Sequence, residues 1–163
     1  MSDGEKKHIT MSGTGNVHDQ EDPFNLARFT DAQERVYGTA MLELRSGRKQ
    51  SHWMWFIFPQ VAGLGYSSMA QRYAIGGLDE AWAYLNHPVL GARLRECAEA
   101  VICVEGRSAS EIFGPPDDMK LRSSITLFAH VSGPDSVFAR VLAKYFGGVQ
   151  DAETLRRLGQ SAK

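Results

Sequence analysis

The sequence predicts an all-α fold, a compact single domain of about seven or eight helices joined by short loops. Three observations predict it. Apolar residues recur at three- and four-residue spacing along most of the chain, the signature of amphipathic helices. Capping residues and glycine or proline stops interrupt these stripes at helix-length intervals. No segment alternates polar and apolar residues with period two over a useful length, and only the aromatic run Trp53–Phe58 invites a strand.

Residues 1–21 are polar, rich in Ser, Gly and Thr, and without periodicity, so they read as a flexible tail. The helical domain is expected over 22–160. Asp22-Pro23 pairs an N-cap with a proline at the first helical position and predicts a short helix to Phe29. Thr30-x-x-Gln33 has the form of a capping box and opens a second helix, with Val36, Tyr37, Ala40, Met41 and Leu44 on one stripe and Ser46-Gly47 as its stop. The aromatic block follows and reads as a short helix ending at Pro59, then a glycine-containing loop to Tyr66. Ser67 caps a short helix through Met69, Arg72, Tyr73 and Ile75.

Past Gly76-Gly77, the residues Leu78, Ala81, Trp82 and Leu85 form the next stripe. Pro88 begins a long helix with Leu90, Leu94, Cys97, Ala98 and Val101 inward. Ser108–Phe113 is a helical turn, and Asp117 caps a helix carrying Leu121, Ile125, Phe128 and Ala129. Ser132-Gly133-Pro134 separates it from the stripe Val137, Phe138, Val141, Leu142, Tyr145 and Phe146. Gly147-Gly148 ends that helix, and Asp151 caps a last one that docks through Leu155 and Leu158.

The bulk properties exclude several classes of function. At 163 residues, 43% hydrophobic and 23% charged, the chain suits one domain with a real core. The formal net charge is −1, with −2 falling in residues 1–21 (Asp3, Glu5, Asp19 and Glu21 against Lys6 and Lys7) and +1 in the remainder. Neither value suits a nucleic-acid binder or a membrane-surface protein. No apolar run nears the ~20 residues of a membrane span, and the start carries no apolar secretion signal, so a cytoplasmic location is expected. Cys97 and Cys103 lie on different faces of one predicted helix and are expected to be free thiols. No Cys/His spacing suggests a metal, and no cofactor motif is present.

Chemistry concentrates around Lys49-Gln50-Ser51-His52-Trp53-Met54-Trp55-Phe56-Ile57-Phe58-Pro59-Gln60, which holds two of the three tryptophans. Six consecutive large apolar residues are either wrapped by protein or line a cavity. As packing, the block is the centre of a helical domain. As a site, Trp53 or Trp55 forms a flat wall for a ring-bearing ligand, and His52 at its polar edge is a candidate acid or base. Gly63-Leu64-Gly65-Tyr66-Ser67-Ser68 before a helix permits close approach of an anion, with Arg72 and Tyr73 a turn later. Lys120, with Ser123 and Ser124 at i+3 and i+4, is a third candidate anion contact. Glu43 and Glu80 read either as solvated carboxylates or as an acid/base couple across helices.

The aromatic block, together with Gly63-Leu64-Gly65, Tyr73-Ala74-Ile75, Glu80-Ala81, Tyr84-Leu85, His87-Pro88, Leu90-Gly91 and Lys120-Leu121-Arg122-Ser123-Ser124, resembles the domain of unknown function 1810 family. The resemblance spans about residues 23–146 and implies a compact all-helical fold with no established activity. Some members carry a calpastatin label. That label fits poorly, because calpastatin inhibits through disordered repeats and this chain reads as a folded, repeat-free domain.

Two functions follow as expectations. The first is a small-molecule site walled by Trp53 and Trp55, with His52, Arg72, Tyr73, Lys120 and Ser123 supplying polar groups to a nucleotide-like or phosphorylated ligand. Whether it is catalytic is open; hydrolysis or group transfer assisted by His52 or a carboxylate is the least strained chemistry. The alternative is a non-catalytic interaction module presenting Arg45, Arg48, Lys49 and the aromatics to a protein or nucleic-acid partner. Burial of the two tryptophans decides between these readings and a purely structural role.

Overall fold

A computed structural model describes residues 22–162 of the chain; the expected tail, 1–21, lies outside the described residues. Among the described residues there are nine helices and no strand. They are α1 (Ala27–Arg45), α2 (Met54–Ile57), α3 (Ser68–Arg72), α4 (Leu78–Asn86), α5 (Leu90–Cys103), α6 (Ala109–Phe113), α7 (Asp117–Ser132), α8 (Val137–Phe146) and α9 (Ala152–Ala162). The all-α expectation holds, with nine helices against about seven or eight, and the short elements expected at the aromatic block, after Ser67 and at Ser108–Phe113 are α2, α3 and α6, of only four or five residues.

Helices α5 and α7 occupy the centre. The first packs against α1, α4 and α8, the second against α8, α4, α6 and α9. A chain of rings runs through the core: Phe29 meets Tyr84 edge-on at 5.1 Å, Tyr84 meets Phe128 at 5.4 Å, and Phe128 meets Phe138 at 5.9 Å. These rings are fully buried. Each contributes roughly 2–3 kcal/mol by leaving water, and edge-on pairing adds to it.

The start of α1 differs from expectation. Helices at 23–29 and from Thr30 are one helix, Ala27–Arg45, entered by a turn. The Asp22 carboxylate accepts from the N–H groups of Leu26 and Ala27 at 2.6 and 3.0 Å. The capping box does not form. The Thr30 hydroxyl donates to the Ala27 carbonyl at 3.1 Å, and Gln33 is buried, its amide donating to the Phe56 carbonyl and the Tyr84 hydroxyl. A box needs both side chains free at a helix end, and here both serve the helix interior.

Three further corrections concern α3 to α5. Ile75 lies beyond α3 and forms an isolated parallel bridge with Val61, closed by hydrogen bonds of 2.8 Å from Ala62 N–H to Ile75 and from Ile75 N–H to Gln60. On α4 the inward face is Glu80, Ala81, Tyr84 and Leu85, while Trp82 is 56% exposed. Glu80 is drawn in by Arg28, whose guanidinium donates to the Glu80 carboxylate and to the carbonyls of Phe24, Asn25, Arg72 and Ala74 at 2.7–2.9 Å. That one side chain ties α1 to the α3–α4 connection. The long helix α5 starts at Leu90 rather than Pro88, with His87 Nδ1 accepting from the N–H groups of Val89 and Leu90. In α9 the fully buried face is Thr154 and Leu158, with Leu155 half-buried.

Among the described residues no helix is long and apolar enough to cross a membrane.

Candidate functional site

The two tryptophans of the aromatic block have opposite fates. Trp53 has non-helical backbone just before α2, whereas Trp55 lies within its single turn. Trp53, at the N-cap of α2, is fully buried and meets Phe113 edge-on at 6.5 Å. Trp55 is half-buried and lines a cleft of about 310 Å³ with Lys49, Gln50, Ser51, His52, Met54, Asp117 and Lys120. On its other side a crevice of only about 10 Å³ separates Trp55 from Tyr73, Pro59 and Ala70, room for no more than one water.

Electrostatics in the cleft centre on Asp117. Its carboxylate lies 2.7 Å from Lys49 Nζ and 3.4 Å from Lys120 Nζ. The expected helix cap is therefore an ion-pair hub instead, favoured at this position by the positive end of α7. The lysines differ in freedom. Lys49 is 8% exposed, also donates to the Ser51 carbonyl at 2.6 Å, and lies 5.0 Å above the Trp53 ring. Lys120 is 28% exposed and lies 5.4 Å from the centre of the Trp55 ring.

The loop carrying His52 to the cleft mouth is held from beneath by Glu43 of α1. Its carboxylate accepts from the N–H groups of Gln50 and Ser51 at 2.9 and 3.0 Å, from the Ser51 hydroxyl at 2.6 Å, and from the Trp53 indole N–H at 2.8 Å. Burial pushes the Glu43 carboxyl upward, but the four donors together outweigh it and bring the group down to about 2. Glu43 is half-buried and is not paired with Glu80, which is engaged by Arg28 and by the Gly76 N–H.

The sequence candidates are thus divided. His52, Trp55 and Lys120 share the cleft, and Tyr73 borders the crevice behind it, packed on Phe56 at 4.8 Å and Phe29 at 5.7 Å. Trp53 is core. Arg72 is exposed, its guanidinium over the Tyr73 ring at 5.6 Å and its carbonyl taken by Arg28. Ser123 is buried, and its hydroxyl donates to the Met119 carbonyl within its own helix. In the glycine loop, Ser67 caps α3 by accepting from the Ala70 N–H, and the neighbouring cation is Arg157 of α9, packed so closely that a Cβ on Gly63 would lie 2.3 Å from its guanidinium.

Sequence reasoning missed Asp117 and Glu43 as organisers. The only signal was the Lys49 ammonium at the entrance of the aromatic block, which needs a counter-charge if it is to be buried.

A larger groove, about 480 Å³, lies between α1 and α5, lined by Met41, Arg45, Arg95, Glu96, Glu99, Ala100, Cys103 and Val104. Its charges are balanced, two arginines against two glutamates, and it has no aromatic wall, so the smaller cleft is the stronger candidate. No group of acidic, His and Cys side chains suited to a metal occurs among the described residues.

No curated protein matches the sequence. Among solved structures, a conserved hypothetical protein from Mycobacterium tuberculosis, Rv1873, is similar at 55% identity and a TM-score of 0.83, over 85% of this chain and 99% of that one. A family described as a protein of unknown function (DUF1810) matches residues 23–158. That match covers nearly all of the ordered helices, and the chain belongs to the DUF1810 family.

Proposed function

We propose that the Trp55–Lys120 cleft binds a small anion-bearing molecule. The observation that carries the reading is the convergence of two ammonium groups and one carboxylate beside a half-exposed indole. Among the side chains that line the cleft, two cations stand against one anion, while the Glu43 carboxylate lies outside the lining and is taken up by four donors. Trp55 and Met54 supply an apolar wall next to that charge, the mixture that ligand sites show. His52 at the mouth adds a polar group within the same concavity.

Binding has more support than catalysis. Both carboxylates of the region are engaged, Asp117 by two lysines and Glu43 by four hydrogen-bond donors, so neither is free to take a proton from a substrate. The interaction-module alternative has less support. Of its three basic residues, Lys49 is buried in the cleft and Arg45 borders the groove between α1 and α5, so they do not form one patch.

Calorimetric titration with nucleotides, sugar phosphates and aromatic carboxylates tests the proposal. At least one should bind to the intact protein, and Lys120→Ala and Trp55→Ala should each weaken it by tenfold or more. Binding that survives both substitutions places the ligand elsewhere and sinks the reading.

A further inference from the structure

We infer that Asp117 sets the charge of the ligand, so that the cleft takes a singly charged oxyanion on an apolar body in preference to a dianionic phosphate or a polyphosphate. This rests on the reading of the cleft as an anion site and narrows its ligand class.

The argument is a count of charges and of unused donors. Lys49, Lys120 and Asp117 together carry +1. Two of the three Lys49 protons are directed at Asp117 Oδ2 and the Ser51 carbonyl, and its ammonium is nearly sealed from solvent. Among the described residues, Lys120 has a single polar contact, Asp117 Oδ1 at 3.4 Å, which is long for a charge-assisted hydrogen bond. One ammonium is therefore available to receive an oxyanion. The first negative charge of a ligand is matched by Lys120. A second would stand within a few ångströms of Asp117 with no second unengaged ammonium among the lining residues to match it, and like charges at that distance repel strongly in a partly desolvated cleft. The Trp55 face already stabilises the Lys120 ammonium, lowering what a second negative charge gains there. The remaining wall, Met54 and Trp55, offers apolar surface to the rest of the molecule. Carboxylates and phosphodiesters share the required chemistry.

Phenyl phosphate and its methyl ester form a matched pair: the same ring and phosphorus, but close to two negative charges against one at about pH 8. Titrated into the wild-type protein, the methyl ester should bind at least as tightly as phenyl phosphate. In Asp117→Asn the amide oxygen still accepts from Lys49, and affinity for phenyl phosphate should rise roughly tenfold while the ester gains less. Tighter binding of phenyl phosphate to the wild type overturns the inference, whether or not the variant folds, and so does an Asp117→Asn protein with unchanged preference. If both probes bind and Lys120→Ala abolishes both, but charge makes no difference, the cleft stands as an anion site and only the charge rule fails. If neither probe binds wild type or variant, both readings fall.

Discussion

The indole N–H of Trp53 donates to Glu43 Oε1 at 2.8 Å, so the most deeply buried tryptophan of the chain is anchored by a carboxylate that also holds the backbone of the cleft's entrance loop. Core and cleft are joined through this one charged group.

Acid should expose that dependence. The Glu43 carboxyl is depressed to about 2 in the folded protein, below its unfolded value near 4.5. A depressed carboxylate contributes stability above the unfolded value and loses it as pH falls through the folded one. Wild-type stability should therefore drop between about pH 4.5 and 2. Glu43→Gln should be destabilised by about 1–3 kcal/mol at neutral pH and show a flatter acid limb in urea titrations. Equal slopes for both proteins would refute the assignment.

Trp53→Ala and Trp55→Ala should part company in stability. Removing the buried ring leaves a cavity and should cost about 3–5 kcal/mol. Removing the half-exposed ring should cost much less and act mainly on ligand affinity. Chemical denaturation of the two variants side by side measures the difference.

Gly91→Ala should destabilise the protein although it lies inside a helix, where alanine is ordinarily preferred to glycine by about 1 kcal/mol. A Cβ at this position would lie 2.1 Å from the Leu85 carbonyl oxygen, and that backbone cannot move without disturbing the α4–α5 corner. The expected loss is about 1–3 kcal/mol, read as a lower melting temperature.

Arg28→Lys should not be conservative. The guanidinium makes five hydrogen bonds from one planar fork, and an ammonium cannot reach all of those acceptors. Leaving the buried Glu80 under-compensated should cost about 3 kcal/mol, and Arg28→Lys with Glu80→Gln should recover part of it in a double-mutant cycle.

The two thiols should react in sequence. Cys103 is exposed, while Cys97 is buried and burial pushes its thiol up to about 12. A thiol reagent at neutral pH should label one cysteine quickly and the second only on unfolding.

The sequence made the helices legible wherever stripe and stop agreed, as for α8, whose stripe from Val137 to Phe146 ends at Gly147. It misled where a polar side chain was needed inside. Thr30-x-x-Gln33 looks like a helix start until Gln33 is seen supporting the Phe56 carbonyl, and Trp82 looks like core until Arg28 draws Glu80 inward. Both errors share a cause: a long-range partner decides which face is buried, and local pattern carries no information about partners so distant in sequence. The cleft was half legible for the same reason. His52, Trp55 and Lys120 stand out by type, but the pairing of Lys49 with Asp117 bridges 68 positions, and no local spacing rule reaches that far.

Because the buried Trp53 caps α2 and the half-buried Trp55 follows only two residues later within its single turn, α2 has no slack for length variation. One residue inserted or deleted between them would rotate the second ring by about 100° and push the wall toward the core or the core ring toward water. The cleft's wall and charge can vary by substitution at Trp55, Asp117 or Lys120, while the segment from Lys49 to Pro59 is constrained to a fixed length.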